Sequence, residues 1–160
     1  ARGFGMDVVY HARSRHEAAE AELSARRLPM DELLATSDVV SLHCPLTEAT
    51  RHLIDADALA RMKPSALLIN TSRGEVVDEA ALVEALSEGA IAGAGLDVFE
   101  REPRIHPRLP ALPNVVLAPH LGSATVATRD AMAVLVADAV TQVLAGRRPA
   151  NLAPAPGGPA

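Results

Sequence analysis

A single cysteine, Cys44, occurs among 160 residues. It excludes an internal disulfide and fits a reducing cytosol, so a cytoplasmic location is expected. Lysine is as scarce: Lys63 stands alone and every other basic residue except the histidines is arginine. We read this as compositional bias and not as a binding surface. A net charge of -5 leaves no electrostatic case for a nucleic-acid partner. No apolar run approaches a membrane span and no signal peptide is visible, so no membrane partner is expected. Internal repeats are not evident. The chain opens Ala1-Arg2-Gly3-Phe4-Gly5, without an initiator methionine or an obvious first strand. An N-terminal portion is therefore expected to be missing.

What is present is a globular composition, 49% hydrophobic and 22% charged, long enough for one domain with a sizeable core. Short apolar runs predict strands over 6–11 (buried), 38–43, 65–70, 91–98 and 115–118. Helices are predicted over 16–25, from 31, within 47–62, over 78–88 and over 123–145. The last repeats Met132, Leu135, Val136, Ala139, Val140 and Val143 at helical spacing. Residues 100–113 hold four prolines and read as loop. Gly93 and Gly95 suggest close backbone approach within a strand. Alternation of strand and helix makes the fold α/β, with a doubly wound, mainly parallel sheet. Residues 147–160 form a Pro/Ala/Gly-rich tail, expected to be disordered.

The organising stretch is 67–78. An apolar strand stops at Asn70-Thr71-Ser72, and Arg73 and Gly74 follow. Asp78 is placed to cap the next helix, with Val77 and Leu82 as its hydrophobic staple. Arg73 thus lies just past the carboxyl end of a strand, where open α/β sheets bind ligands. Its planar fork suits a carboxylate or phosphate; a plain surface arginine is the alternative. Other chemistry-bearing residues fall at strand ends too: Arg13-Ser14-Arg15, Cys44-Pro45, Asp97 with Glu102, and His120. In a doubly wound sheet these ends face one crevice. His120 could act as acid/base and Glu102 could hold its tautomer and stabilise the imidazolium. Arg73 could anchor and polarise a carboxylate substrate. The histidines at 11, 16, 52 and 106 read as surface or turn residues, and His43 as strand-end packing.

Four segments carry a resemblance: Ser41-Leu42-His43-Cys44-Pro45-Leu46-Thr47, residues 68–79, Gly95-Leu96-Asp97-Val98-Phe99-Glu100-Arg101-Glu102-Pro103, and residues 112–123. In this order and spacing they resemble the D-isomer-specific 2-hydroxyacid dehydrogenases. The resemblance implies a Rossmann-like NAD(P)-binding domain over 1–146, lacking its first strand and glycine loop. It further implies hydride transfer between NAD(P) and a small 2-oxo or 2-hydroxy acid, and a homodimer in the full-length protein. By resemblance, Arg73, Glu102 and His120 are the catalytic residues. Asp97 would bind the nicotinamide carboxamide, and Thr71 and Ser72 the nicotinamide ribose. Cys44, Pro45 and Thr50 would line the adenosine side. Gly122 and Ser123 would complete the nicotinamide pocket.

An NAD-binding Rossmann unit normally places an acidic residue after its second strand. Here Ala12 falls at that position, and Arg13, Ser14 and Arg15 follow. A 2′-phosphate needs cationic donors and no nearby carboxylate, so NADP is the expected cofactor, with NAD possible. The same turn points to the glyoxylate/hydroxypyruvate reductase branch. The Gly-x-Gly-x-x-Gly loop that cradles a pyrophosphate is absent from the sequence. Loss of the first strand is expected to leave a gap in the sheet with an unpaired edge. A dinucleotide-sensing corepressor and an inactive truncated product are the competing expectations.

Overall fold

In the computed structural model, residues 1–152 are described. They divide into two units, Ala1–Pro119 and the segment from His120 onward. The tail expected over 147–160 lies mostly outside the described residues.

The first unit holds β1 (Val9–Tyr10), α1 (Glu17–Leu23), β2 (Arg26–Arg27), α2 (Met30–Thr36), β3 (Val39–Leu42), α3 (Ala56–Arg61), β4 (Leu67–Asn70), α4 (Glu79–Glu88), β5 (Gly93–Leu96) and β6 (Val115–Leu117). Every strand pair is parallel, as the alternating pattern predicts. The strands nevertheless form two sheets: β1-β2, and a four-stranded sheet in the order β3-β4-β5-β6.

Two expectations about the first sheet need correction. The strand over 6–11 shrinks to Val9–Tyr10, half-buried and not buried. The helix over 16–25 stops at Leu23, because Ser24 takes a left-handed φ of 55°. Arg26 and Arg27 then pair with Val9 and Tyr10. An arginine pair carries no apolar strand signal, yet backbone pairing needs none. The Arg27 guanidinium also folds back to donate to the Ala12 and Arg13 carbonyls.

The core lies on one face of the four-stranded sheet. Val40, Leu42 and Leu68 are buried there with Leu34 of α2, Leu59 of α3 and Leu82, Val83 and Leu86 of α4. The opposite face differs from a strand buried on both sides: Val39, Leu67 and Val116 are 41%, 42% and 73% exposed. Helix α4 begins as expected, the Asp78 carboxylate accepting from the Ala81 N–H at 3.0 Å. It ends at Gly89 in the left-handed region (φ 70°). Strands β5 and β6 approach through Gly93, where a β-carbon would stand 2.7 Å from the Asn114 carbonyl oxygen.

The second unit is dominated by α5 (Val126–Leu144). It starts three residues later than predicted, because Thr125 provides the cap by accepting from the Thr128 N–H. None of its residues is buried. The apolar positions that predicted a core-facing stripe, Met132, Leu135, Val136, Val140 and Val143, are all exposed.

Candidate active site

Asn70 ends β4, and its side chain builds the turn that follows. It is 1% exposed. Its Nδ2 donates to the Arg73 carbonyl at 2.9 Å. Its Oδ1 accepts from the Ser72 N–H at 3.0 Å and from the Ser72 hydroxyl at 2.9 Å. One buried amide thus templates Thr71-Ser72-Arg73. The Ser72 hydroxyl commits its hydrogen to Asn70 and retains acceptor capacity only. Arg73 is exposed, and one NH1 hydrogen goes to the Ser72 carbonyl at 2.6 Å. Sequence reasoning missed the part played by Asn70. The available signal was an amide at the end of an apolar strand, two residues before a serine.

Gly74 joins this turn to the loop after β5. A β-carbon there would lie 1.9 Å from the Phe99 carbonyl carbon and 2.4 Å from the Glu100 nitrogen. The backbones that carry Arg73 and Glu102 are therefore packed directly together. Glu102 is exposed, and its Oε1 accepts from the Phe99 N–H at 3.0 Å. Glu79, buried at the start of α4, grips the same loop on either side of Glu102. Its Oε2 accepts from the Glu100 N–H at 3.1 Å and its Oε1 from the His106 N–H at 2.7 Å. Glu79 was also missed, since a glutamate after a helix cap ordinarily faces solvent. His52, read as a turn residue, does occupy a turn (φ 50°). It is half-buried, with Nε2 3.1 Å from the Glu100 carboxylate. Asp97 follows β5 half-buried, its N–H donating to the Asn70 carbonyl at 3.0 Å. The Arg73 turn, Asp97 and the Glu102 loop are thus brought together.

Other predicted residues lie apart from that cluster. Cys44 is half-buried and Pro45 exposed in the loop after β3. The Thr50 hydroxyl closes this loop, donating to the Pro45 carbonyl at 2.7 Å and accepting from the Thr47 N–H at 2.8 Å. Arg13, Ser14 and Arg15 follow β1 of the smaller sheet, all exposed. His120 opens the second unit, exposed and in the left-handed region at φ 55°. Positive φ is uncommon outside glycine, and Ser24 and His52 share it with His120. Gly122 is exposed and Ser123 half-buried.

A carboxylate from outside the turn stands beside Arg15, although Ala12 keeps the acidic position itself free of one. The Glu20 side chain comes back from α1 to Arg15, with NH2 and Oε2 2.7 Å apart. Tyr10 donates to Glu20 as well, at 2.7 Å. These two hydrogen bonds, from Arg15 first and Tyr10 second, hold the Glu20 carboxyl below the usual glutamate range. Glu20 in turn raises the Arg15 guanidinium. The sequence interval hid this pair because it crosses from a turn into a helix.

Among the described residues no helix is long and apolar enough to cross a membrane. Residues 1–122 match the family model described as D-isomer specific 2-hydroxyacid dehydrogenase, NAD binding domain. The chain is 53% identical over 152 residues to the glyoxylate reductase of Thermococcus litoralis, covering 95% of this chain and 46% of that protein. It is 54% identical over 145 residues to glyoxylate/hydroxypyruvate reductase B of Serratia proteamaculans, covering 90% and 45%. The NADPH-dependent glyoxylate/hydroxypyruvate reductase of Sinorhizobium meliloti, solved with NADP and malonate, superposes with a TM-score of 0.81 at 42% identity, covering 88% of this chain and 43% of that one. The chain thus spans about half the length of the curated relatives it matches. With its parallel sheet and long matched segment, the chain belongs to the D-isomer-specific 2-hydroxyacid dehydrogenase family, in the part that forms the NAD-binding domain.

Proposed function

We propose that the protein carrying this chain reduces a small 2-oxo acid to the 2-hydroxy acid, glyoxylate or hydroxypyruvate being favoured. The observation that supports this reading is the packing of Gly74 on Phe99, which brings the backbone just after Arg73 against the loop that leads to Glu102. Arg73 binds the substrate carboxylate through its fork and polarises the carbonyl. His120 delivers the proton to the carbonyl oxygen, and Glu102 is the acid that the family resemblance assigns to support it. Fixed positive charge and orientation supply most of the acceleration.

The residues present fit the two ends of a nicotinamide dinucleotide. Asp97, Thr71 and Ser72 offer acceptors at the ends of β4 and β5, suited to an amide and ribose hydroxyls. Ser72 is the clearest case, since its own hydrogen is committed to Asn70. Gly122 and Ser123 would complete that end, and Cys44, Pro45 and Thr50 would flank the adenosine. When bound, the nicotinamide supplies the hydride. We propose NADP as the preferred form, on the strength of Arg13, Ser14 and Arg15. Replacing Arg13 and Arg15 by alanine should raise KM for NADPH selectively; an equal effect with NADH would refute that preference. A cytoplasmic homodimer completes the reading, testable by sedimentation and cell fractionation. The reaction itself is tested by following nicotinamide absorbance with glyoxylate or hydroxypyruvate as acceptor. No consumption above the substrate-free rate would sink the proposal and leave a binding role.

A further inference from the structure

We propose that Glu20 sets how strongly the Arg13-Ser14-Arg15 turn favours a 2′-phosphate, by competing with that phosphate for Arg15. The inference rests on the reading that this turn receives the adenosine ribose. Arg15 Nε donates to Glu20 Oε1 at 3.0 Å and to Oε2 at 2.8 Å, while NH2 lies 2.7 Å from Oε2. One whole edge of the guanidinium fork is thus occupied by a carboxylate. That is the edge geometry with which an arginine grips a phosphate.

The pair is not a loose surface contact. The Glu20 side chain is only 16% exposed, against 67% for Arg15. Tyr10 donates to Glu20 Oε1 at 2.7 Å, and the Tyr10 oxygen accepts from the His16 N–H at 2.8 Å. The carboxylate is therefore fixed from the strand side as well as by Arg15. Arg27 is committed to the Ala12 and Arg13 carbonyls, where it shapes the turn. The Arg13 guanidinium has no hydrogen-bonded or ionic partner among the described residues. Of the two arginines in the turn, one is neutralised in advance and one is not.

A 2′-phosphate dianion reaching Arg15 meets a second anion within hydrogen-bonding distance of the same fork. It must share the guanidinium or displace Glu20, and like charge so close is unfavourable. An unphosphorylated ribose brings no anion and pays neither cost. Glu20 thus narrows the gap between the two cofactor forms, and the turn is tuned toward accepting both.

The test is calorimetric titration of the protein carrying this chain with adenosine 2′,5′-bisphosphate and with adenosine 5′-monophosphate. The pH is kept where the phosphates are dianionic. Glu20→Gln is nearly isosteric, and its amide oxygen still accepts from Tyr10. It should tighten the bisphosphate by about two- to fivefold, the scale of a solvent-screened surface charge interaction, and leave the monophosphate unchanged. In the Arg15→Ala background the same substitution should give no gain. Tyr10→Phe, which loosens the carboxylate without removing it, should shift selectivity the same way by less. Equal changes for both ligands, or none, in Glu20→Gln would overturn the role of Glu20. If Arg13→Ala and Arg15→Ala also leave the ratio at its wild-type value, the reading of the turn as the ribose site fails with it. If those two lower the ratio while Glu20→Gln does not move it, only the competition is refuted.

Discussion

A β-carbon on Gly74 would stand 1.9 Å from the carbonyl carbon of Phe99. No L side chain fits there, and the obstruction is backbone on both sides. The glycine therefore sets the separation between the strand end that carries Arg73 and the loop that carries Glu102. Gly74→Ala should destabilise by about 3 kcal/mol, the upper end for overpacking. Chemical denaturation measures this, with Gly89→Ala as the control. Gly89 has open space around it, so there only the left-handed strain of about 1–2 kcal/mol applies. A Gly74 variant as stable as wild type would contradict the close packing.

Asn70 is the template of the Arg73 turn, and its loss should uncouple fold from function. Asn70→Leu strands the Ser72 N–H and the Arg73 carbonyl, each costing about 1–3 kcal/mol if it stays buried. If the protein carrying this chain reduces a 2-oxo acid as proposed, with Arg73 as its anchor, KM for that acid should rise more than kcat falls. Steady-state kinetics and denaturation on the same variant separate the two effects.

Glu79 makes a comparable prediction for the neighbouring loop. Its two oxygens receive the Glu100 and His106 N–H groups. Glu79→Gln keeps the shape but turns an amide NH2 toward one of these donors. A loss of about 1.5–3 kcal/mol is expected for a charge-assisted bond. Amide hydrogen exchange should accelerate at Glu100 or His106, while the amides of β3 keep their protection.

Glu20 titrates below the ordinary glutamate range because Arg15, and then Tyr10, hydrogen-bond its charged form. The ion pair is complete above the unfolded glutamate pKa and is lost as pH falls through the lower folded value. Carbon-detected NMR should find the Glu20 carboxyl below the ordinary glutamate range. Arg15→Ala should move it upward.

Much of this architecture was legible in the sequence because it rests on local chemistry. Asp78 caps α4, Gly89 ends it, and short apolar runs mark β3 to β6 in a wholly parallel arrangement. Arg73, Glu102 and His120 stood out as functional types at the ends of predicted strands. The misses share a cause, which is that they depend on contacts distant in sequence or on backbone pairing alone. Arg26–Arg27 is a strand with no apolar residue. Asn70 and Glu79 matter through the backbone atoms they hold, and Glu20 through a turn it folds back to meet. Periodicity also could not reveal that the apolar positions of α5 remain exposed.

Kinetics on the protein carrying this chain tests the proposed chemistry of Arg73, Glu102 and His120. NADPH consumption is followed at the nicotinamide absorbance with glyoxylate, for wild type, Arg73→Ala and His120→Asn. Glyoxylate-dependent consumption is expected. Arg73→Ala should chiefly raise KM, and His120→Asn should lower kcat by about 10²–10⁴, the usual contribution of a positioned acid or base. Wild-type turnover in His120→Asn, or no glyoxylate-dependent consumption in the unaltered protein, would contradict the proposed chemistry.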